Sequence, residues 1–104
     1  MIKVTPYNGK SYLSGFVVKG HANFGEYGTD IICASVSVAT QMIGYRLVWH
    51  GLASVSISKA GILEVCTDTH NDPRVKDYIN MLMWTLKEIQ RQYPDHIQIK
   101  ESEY

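Results

Sequence analysis

The sequence predicts an α+β fold, two helices on one sheet in the order β-β-α-β-β-α-β. Three observations predict it. Short stretches of period two occur at both ends of the chain and between two long apolar segments. The second of those segments is a clear amphipathic helix, opened by a cap and closed by a proline. The first is too long and too apolar for a surface strand.

Taken in order, Ile2 and Val4 alternate with Lys3 and Thr5, which reads as a strand over residues 2–7. Asn8-Gly9 follows, a strong hairpin signal. A second strand then runs from about Lys10 to Lys19, ending on Phe16, Val17 and Val18. Pro6 has no N–H to give a neighbour, so the first strand is expected at a sheet edge near that point. Residues 20–29 hold three glycines without period and read as a mobile loop.

Asp30 reads as an N-cap for a helix from Ile31 to about Trp49. Ile32, Val36, Ala39, Ile43 and Leu47 form one stripe, and Cys33, Ser37, Thr40, Gln41 and Gly44 a smaller, more polar one. A helix so apolar is expected to be largely buried. Gly51 ends it. Ala53 to Ser58 and Ile62 to Thr67 then read as strands around Lys59-Ala60-Gly61. Asp72-Pro73 is a cap followed by proline at the first helical position. Val75, Ile79, Leu82, Leu86, Ile89 and Tyr93 make the stripe of that second helix, which Pro94 stops. Tyr78, Met81, Trp84 and Thr85 read as a further core stripe, with a dimer face as the alternative. Ile97 and Ile99 alternate in a last strand.

Length and composition suit a single domain over residues 1–104. The chain has 45% hydrophobic and 19% charged residues and a formal net charge of zero. Lys and Arg are dispersed, so no basic stripe marks a nucleic-acid partner. No run approaches the ~18 apolar residues of a membrane span, and the N-terminus lacks a signal-peptide core. A cytoplasmic location is the expectation. The two cysteines, Cys33 and Cys66, are then expected as free thiols, and their spacing rules out a C-x-x-C redox motif. Cys66, Asp68 and His70 make a weak ligand set with no second cluster, so neither a metal nor a cofactor is expected. His50 falls at a helix C-terminus, where a cation suits the dipole.

The chemistry concentrates between Gly20 and Ser37. A strand delivers His21, a glycine-rich loop follows, and Cys33 stands in the first turn of a helix. Unpaired N–H groups and the positive helix end both favour a thiolate over a thiol. The same N–H groups could hold the oxyanion formed when a thiolate attacks a carbonyl. His21 could deprotonate Cys33 and later protonate a leaving amine. Asp30 could orient the imidazole, although an N-cap side chain is already occupied and its charge opposes a thiolate. The plainer readings are an inert core cysteine and a capping aspartate. For Ser37, one turn after Cys33, the plainer reading is a bond to its own helix backbone.

The run Gly20-His21-Ala22, then Tyr27-Gly28-x-Asp30-Ile31-Ile32-Cys33-Ala34-x-Val36-Ser37, resembles the signature of the ribosomal-processing cysteine protease family, Prp. The resemblance extends through the hairpin after the first helix to the Tyr93-Pro94 stop. Ser35, where Ala or Gly is expected, and Ile32, where Val is commoner, depart from the pattern without touching the chemistry. The resemblance implies a cysteine endopeptidase that needs no cofactor. Its substrate would be the short N-terminal extension of a bacterial large-subunit ribosomal protein, number twenty-seven. It also implies a homodimer, with His21 and Cys33 catalytic and Asp30 and Ser37 as motif residues. The segment from Gly20 to Gly28 would order over the peptide, placing Gly20, Phe24, Tyr27, Gly28 and Ser37 against substrate. The competing reading is a non-catalytic, ribosome-associated protein-binding module in which Cys33 is structural.

Overall fold

The structure, a computed structural model of the chain, describes residues 1–8, 13–21, 25, 30–59, 61–67 and 72–100. Its elements are β1 (Ile2–Asn8), β2 (Leu13–Lys19), α1 (Ile31–Trp49), β3 (Ala53–Ile57), β4 (Leu63–Thr67), α2 (Pro73–Gln92) and β5 (Ile97–Ile99). The order is the predicted one, and the class is α+β. The turn at Gly9 and the first residues expected in β2 lie outside the described residues.

The strands form one mixed sheet in the order β3-β4-β2-β1-β5. Every neighbouring pair is antiparallel except β1 with β5, which run parallel with Ile2 opposite Ile97 and Val4 opposite Ile99. β1 is therefore an interior strand. The β5 ladder stops opposite Val4, short of Pro6, so the missing proline N–H interrupts no described pairing.

Alternation sorts the sheet into two faces. Val4, Phe16 and Val65 are fully buried and point to the helices, joined by Ile2, Leu63 and Ile97. On the other face Tyr7 stands opposite Gly15, and Gly15 opposite Cys66. A Cβ on Gly15 would lie 2.5 Å from the Tyr7 hydroxyl and 2.1 Å from the Val65 carbonyl. The glycine lets the tyrosine cross two strands, so that its Oη sits 2.9 Å from Cys66 Sγ, which in turn donates to Glu64 at 3.1 Å.

α2 buries the stripe Val75, Ile79, Leu82, Met83 and Leu86. Asp72 caps it by accepting the Arg74 N–H at 2.9 Å and also receives the Arg74 guanidinium, which holds its carboxyl below the usual range. In the second stripe read as core, Tyr78 packs against the core whereas Met81 and Trp84 are exposed.

α1 buries Ile32, Val36, Thr40, Ile43, Gly44 and Leu47. Part of its small-residue stripe thus faces the sheet: a Cβ on Gly44 would meet Val65 and Val55 at 3.1 and 3.3 Å. Ile31, Val38, Met42, Tyr45 and Trp49 are exposed, against the expectation of a largely buried helix. Its 19 residues are also long and apolar enough to cross a membrane by length and composition, which corrects the absence of such a run, while its inner side packs in the core.

His50 caps the C-terminus of α1 and meets α2. Its ring stacks on Tyr78 at 5.9 Å, with Arg74 Nη1 3.4 Å from Nδ1. Desolvation first, then the charges of Arg46 and Arg74, lower its pKa, so this end of α1 does not favour the cation expected there.

Candidate active site

β2 ends at Lys19, and the chain must turn sharply to leave the sheet. Gly20 makes that turn at φ +93°, a conformation glycine adopts without strain. A Cβ there would also lie 2.4 Å from the Met1 carbonyl oxygen. Gly20 therefore has a structural reason to be glycine, independent of any substrate. The next residue, His21, is exposed at the sheet's end.

From the other side comes α1. Asp30 stands at its N-cap in extended geometry, and Oδ1 accepts the N–H groups of Ile32 and Cys33, both at 3.0 Å. The Asp30 carbonyl accepts Ala34 N–H at 3.0 Å, and Oδ2 accepts Gly25 N–H at 3.1 Å. One buried carboxylate thus starts the helix and ties it to the glycine-rich segment. Cys33 is the third residue of the helix, as predicted, and half-buried.

These bonds correct one expectation. The Ile32, Cys33 and Ala34 N–H groups are engaged by Asp30, so they are not waiting donors for an oxyanion. The first-turn environment still includes the helix dipole, now opposed by a carboxylate at the cap.

His21 and Cys33 line the same cleft, of about 190 Å³, together with Gly20 and Ser37. Its floor and walls include Val18, Val36 and Leu63 from the core, and Ile57 and Gly61 from the β3–β4 hairpin. The cleft combines apolar walls with a polar strip along α1. Phe24, Tyr27 and Gly28, read as substrate contacts, lie outside the described residues, as does the bulk of the loop expected to close over a peptide.

Ser37 is exposed and does not bond its own helix backbone through its side chain. Its Oγ accepts the Gln41 side-chain N–H at 2.7 Å. Thr40 and Gln41, placed by the sequence on the Cys33 stripe without a site role, and Ile57, not singled out, are also cleft residues. The four-residue spacing from Ser37 could have shown Gln41. Nothing local could have shown Ile57, whose place depends on the strand order. Cys66 sits on the opposite face of the sheet, and Asp68 and His70 lie outside the described residues.

Residues 1–98 match the family model for cysteine protease Prp. The ribosomal processing cysteine protease Prp of Mycoplasma genitalium is 31% identical over 90 residues, spanning 85% of this chain and 88% of its own. In the solved structures, the fold is that of the essential ribosomal processing protease Prp of S. aureus bound to a covalently linked product peptide. The TM-score is 0.86 at 22% identity, covering 98% of this chain and all of that one. The same protease with a substrate peptide gives 0.80 at 20% identity, covering 98% and 100%.

Proposed function

The chain belongs to the Prp family of cysteine proteases, and on that premise we propose that it removes the short N-terminal extension of a bacterial large-subunit ribosomal protein, number twenty-seven. One observation carries the reading: His21 and Cys33, delivered by different elements, line one cleft. The names of its relatives supply the substrate class.

In this reading His21 takes the Cys33 proton, and the thiolate attacks the carbonyl carbon of the scissile bond. The tetrahedral intermediate collapses with cleavage of the C–N bond, and His21 returns the proton to the leaving amine. Water, deprotonated by His21, then hydrolyses the thioester and regenerates the thiol. Asp30 positions Cys33 through the helix cap rather than by relaying a proton. Ser37 and Gly20 contact the peptide, with Phe24, Tyr27 and Gly28 of the loop. The apolar walls of the cleft suit apolar side chains before the cut.

The proposed enzyme is cytoplasmic and homodimeric, without nucleic acid or membrane as direct partner. Exposed Met42, Tyr45 and Trp49 on α1 and Met81 and Trp84 on α2 support a second copy as the cover.

Mass spectrometry of the ribosomal protein precursor, incubated with the wild type and with Cys33→Ala, tests the function. One defined cut by the wild type alone supports it. The precursor bound but left whole by both would move the reading to a binding module, and no interaction at all would remove this substrate.

A further inference from the structure

Hydroxyl side chains inside helices usually give their proton back to the preceding turn. Ser35 does so to the Ile31 carbonyl at 2.7 Å, Thr40 to Val36 at 2.8 Å, and Thr85 to Met81 at 3.0 Å. Ser37 departs from this habit. Its oxygen accepts the Gln41 Nε2–H at 2.7 Å. A hydroxyl that accepts one bond still has its own O–H to give. Helical side chains lean toward the N-terminus, so the Ser37 hydroxyl leans over the turn that carries Cys33. Both Ser37 and Gln41 line the cleft that holds Cys33 and His21.

We propose that Gln41 is a positioning residue for peptide binding: by donating to Ser37 Oγ it keeps the Ser37 proton available for a backbone carbonyl of the substrate. The inference rests on the cysteine protease reading of the cleft. Without the amide donor, Ser37 turns back to the Cys33 carbonyl, as Ser35 and Thr40 do to theirs, and the proton is spent inside the helix. Gln41 does not touch the reacting atoms in this scheme. It acts on substrate affinity through its neighbour, leaving the nucleophile alone.

The test is a double-mutant cycle on cleavage of the precursor, with Gln41→Met, Ser37→Ala and the pair, alongside the pH profile of Cys33 alkylation by iodoacetamide. Gln41→Met should raise KM about fivefold with kcat little changed, the scale of one neutral hydrogen bond. In the Ser37→Ala background the same change should do nothing further. Gln41→Glu, which can only accept from Ser37, should match the methionine variant. The alkylation profile should stay that of the wild type. Equal losses in both backgrounds, no loss at all, or a shifted alkylation profile would overturn the proposal while leaving the protease reading intact. A wild type that does not cut the precursor, with Cys33 no more reactive than Cys66, would overturn both.

Discussion

Asp30 Oδ1 accepts the backbone N–H of Cys33 at 3.0 Å, so the residue that begins α1 also sets where the proposed nucleophile stands. The side chain and the thiol are then bound into one rigid first turn. Asp30→Ala removes a buried cap and should cost about 1–2 kcal/mol of stability. Asp30→Asn keeps an acceptor for the Ile32 and Cys33 N–H groups and should cost less by thermal unfolding. Because the asparagine carries no charge, it should also speed alkylation of Cys33 near pH 6. Slower alkylation in that variant would show instead that the carboxylate supports the imidazolium of His21.

Cys33→Ser should keep the fold and lose activity by roughly a thousandfold or more, since the hydroxyl is a far weaker nucleophile at neutral pH. In the wild type, mild iodoacetamide should modify Cys33 well before Cys66, whose sulfur is held by Tyr7 and Glu64. Circular dichroism and cleavage of the precursor, measured on the same samples, separate folding from chemistry.

Gly20→Ala places a methyl group against the Met1 carbonyl in a left-handed turn. The strain should cost on the order of 1–3 kcal/mol. Relief by moving the turn would displace His21, so the variant should lose cleavage even at temperatures where it remains folded. Full activity with a wild-type unfolding temperature would show that the turn does not aim the imidazole.

His50 is faced by Arg46 and Trp49 from α1, by Arg74 and Tyr78 from α2, and by Asp72 at the α2 N-cap. Its pKa is lowered in the fold from 6.5, so the unfolded chain binds the proton first as pH falls. Stability is intact above that value and declines below it, until the folded imidazole is itself protonated. Thermal unfolding of the wild type should therefore drop more between neutral and mildly acidic pH than that of His50→Gln.

Trp84 and Trp49 are 70% and 72% exposed, more than isolated surface aromatics need to be. If the proposed dimer forms through α2, Trp84→Lys should leave the monomer folded and lower the mass seen by sedimentation. An unchanged dimer would exclude α2 from the face, and a monomeric wild type would overturn the dimer.

The order of elements was legible because each boundary has local chemistry: Asp30 and Asp72 at helix starts, Gly51 and Pro94 at helix ends. The placement of Cys33 in the first turn followed from the same cap. Other features depend on partners far away in sequence. Nothing near Ile2 announces that β1 lies inside the sheet, since its parallel neighbour arrives only at Ile97. The apolar periphery of α1 looked like burial because composition cannot distinguish a core from an exposed apolar surface. Gly20 read as part of a mobile loop, and its close approach to the Met1 carbonyl, which leaves no room for a Cβ, could not be seen in the sequence. Ser37 read as bonded to its own backbone, because the competing amide of Gln41 is visible only once both side chains are placed.

The parallel pairing of β1 with β5 has a consequence for how the chain is made. Ile2, part of the cleft wall, finds its neighbour Ile97 only after everything between them has been synthesised. Until then one margin of β1 from Ile2 to Val4 lacks its native ladder, a template for adventitious strand addition. Such distant pairing also slows folding relative to a purely local hairpin. In the proposed protease, a nascent chain thus carries His21 and Cys33 well before the strand that completes the sheet beside their cleft.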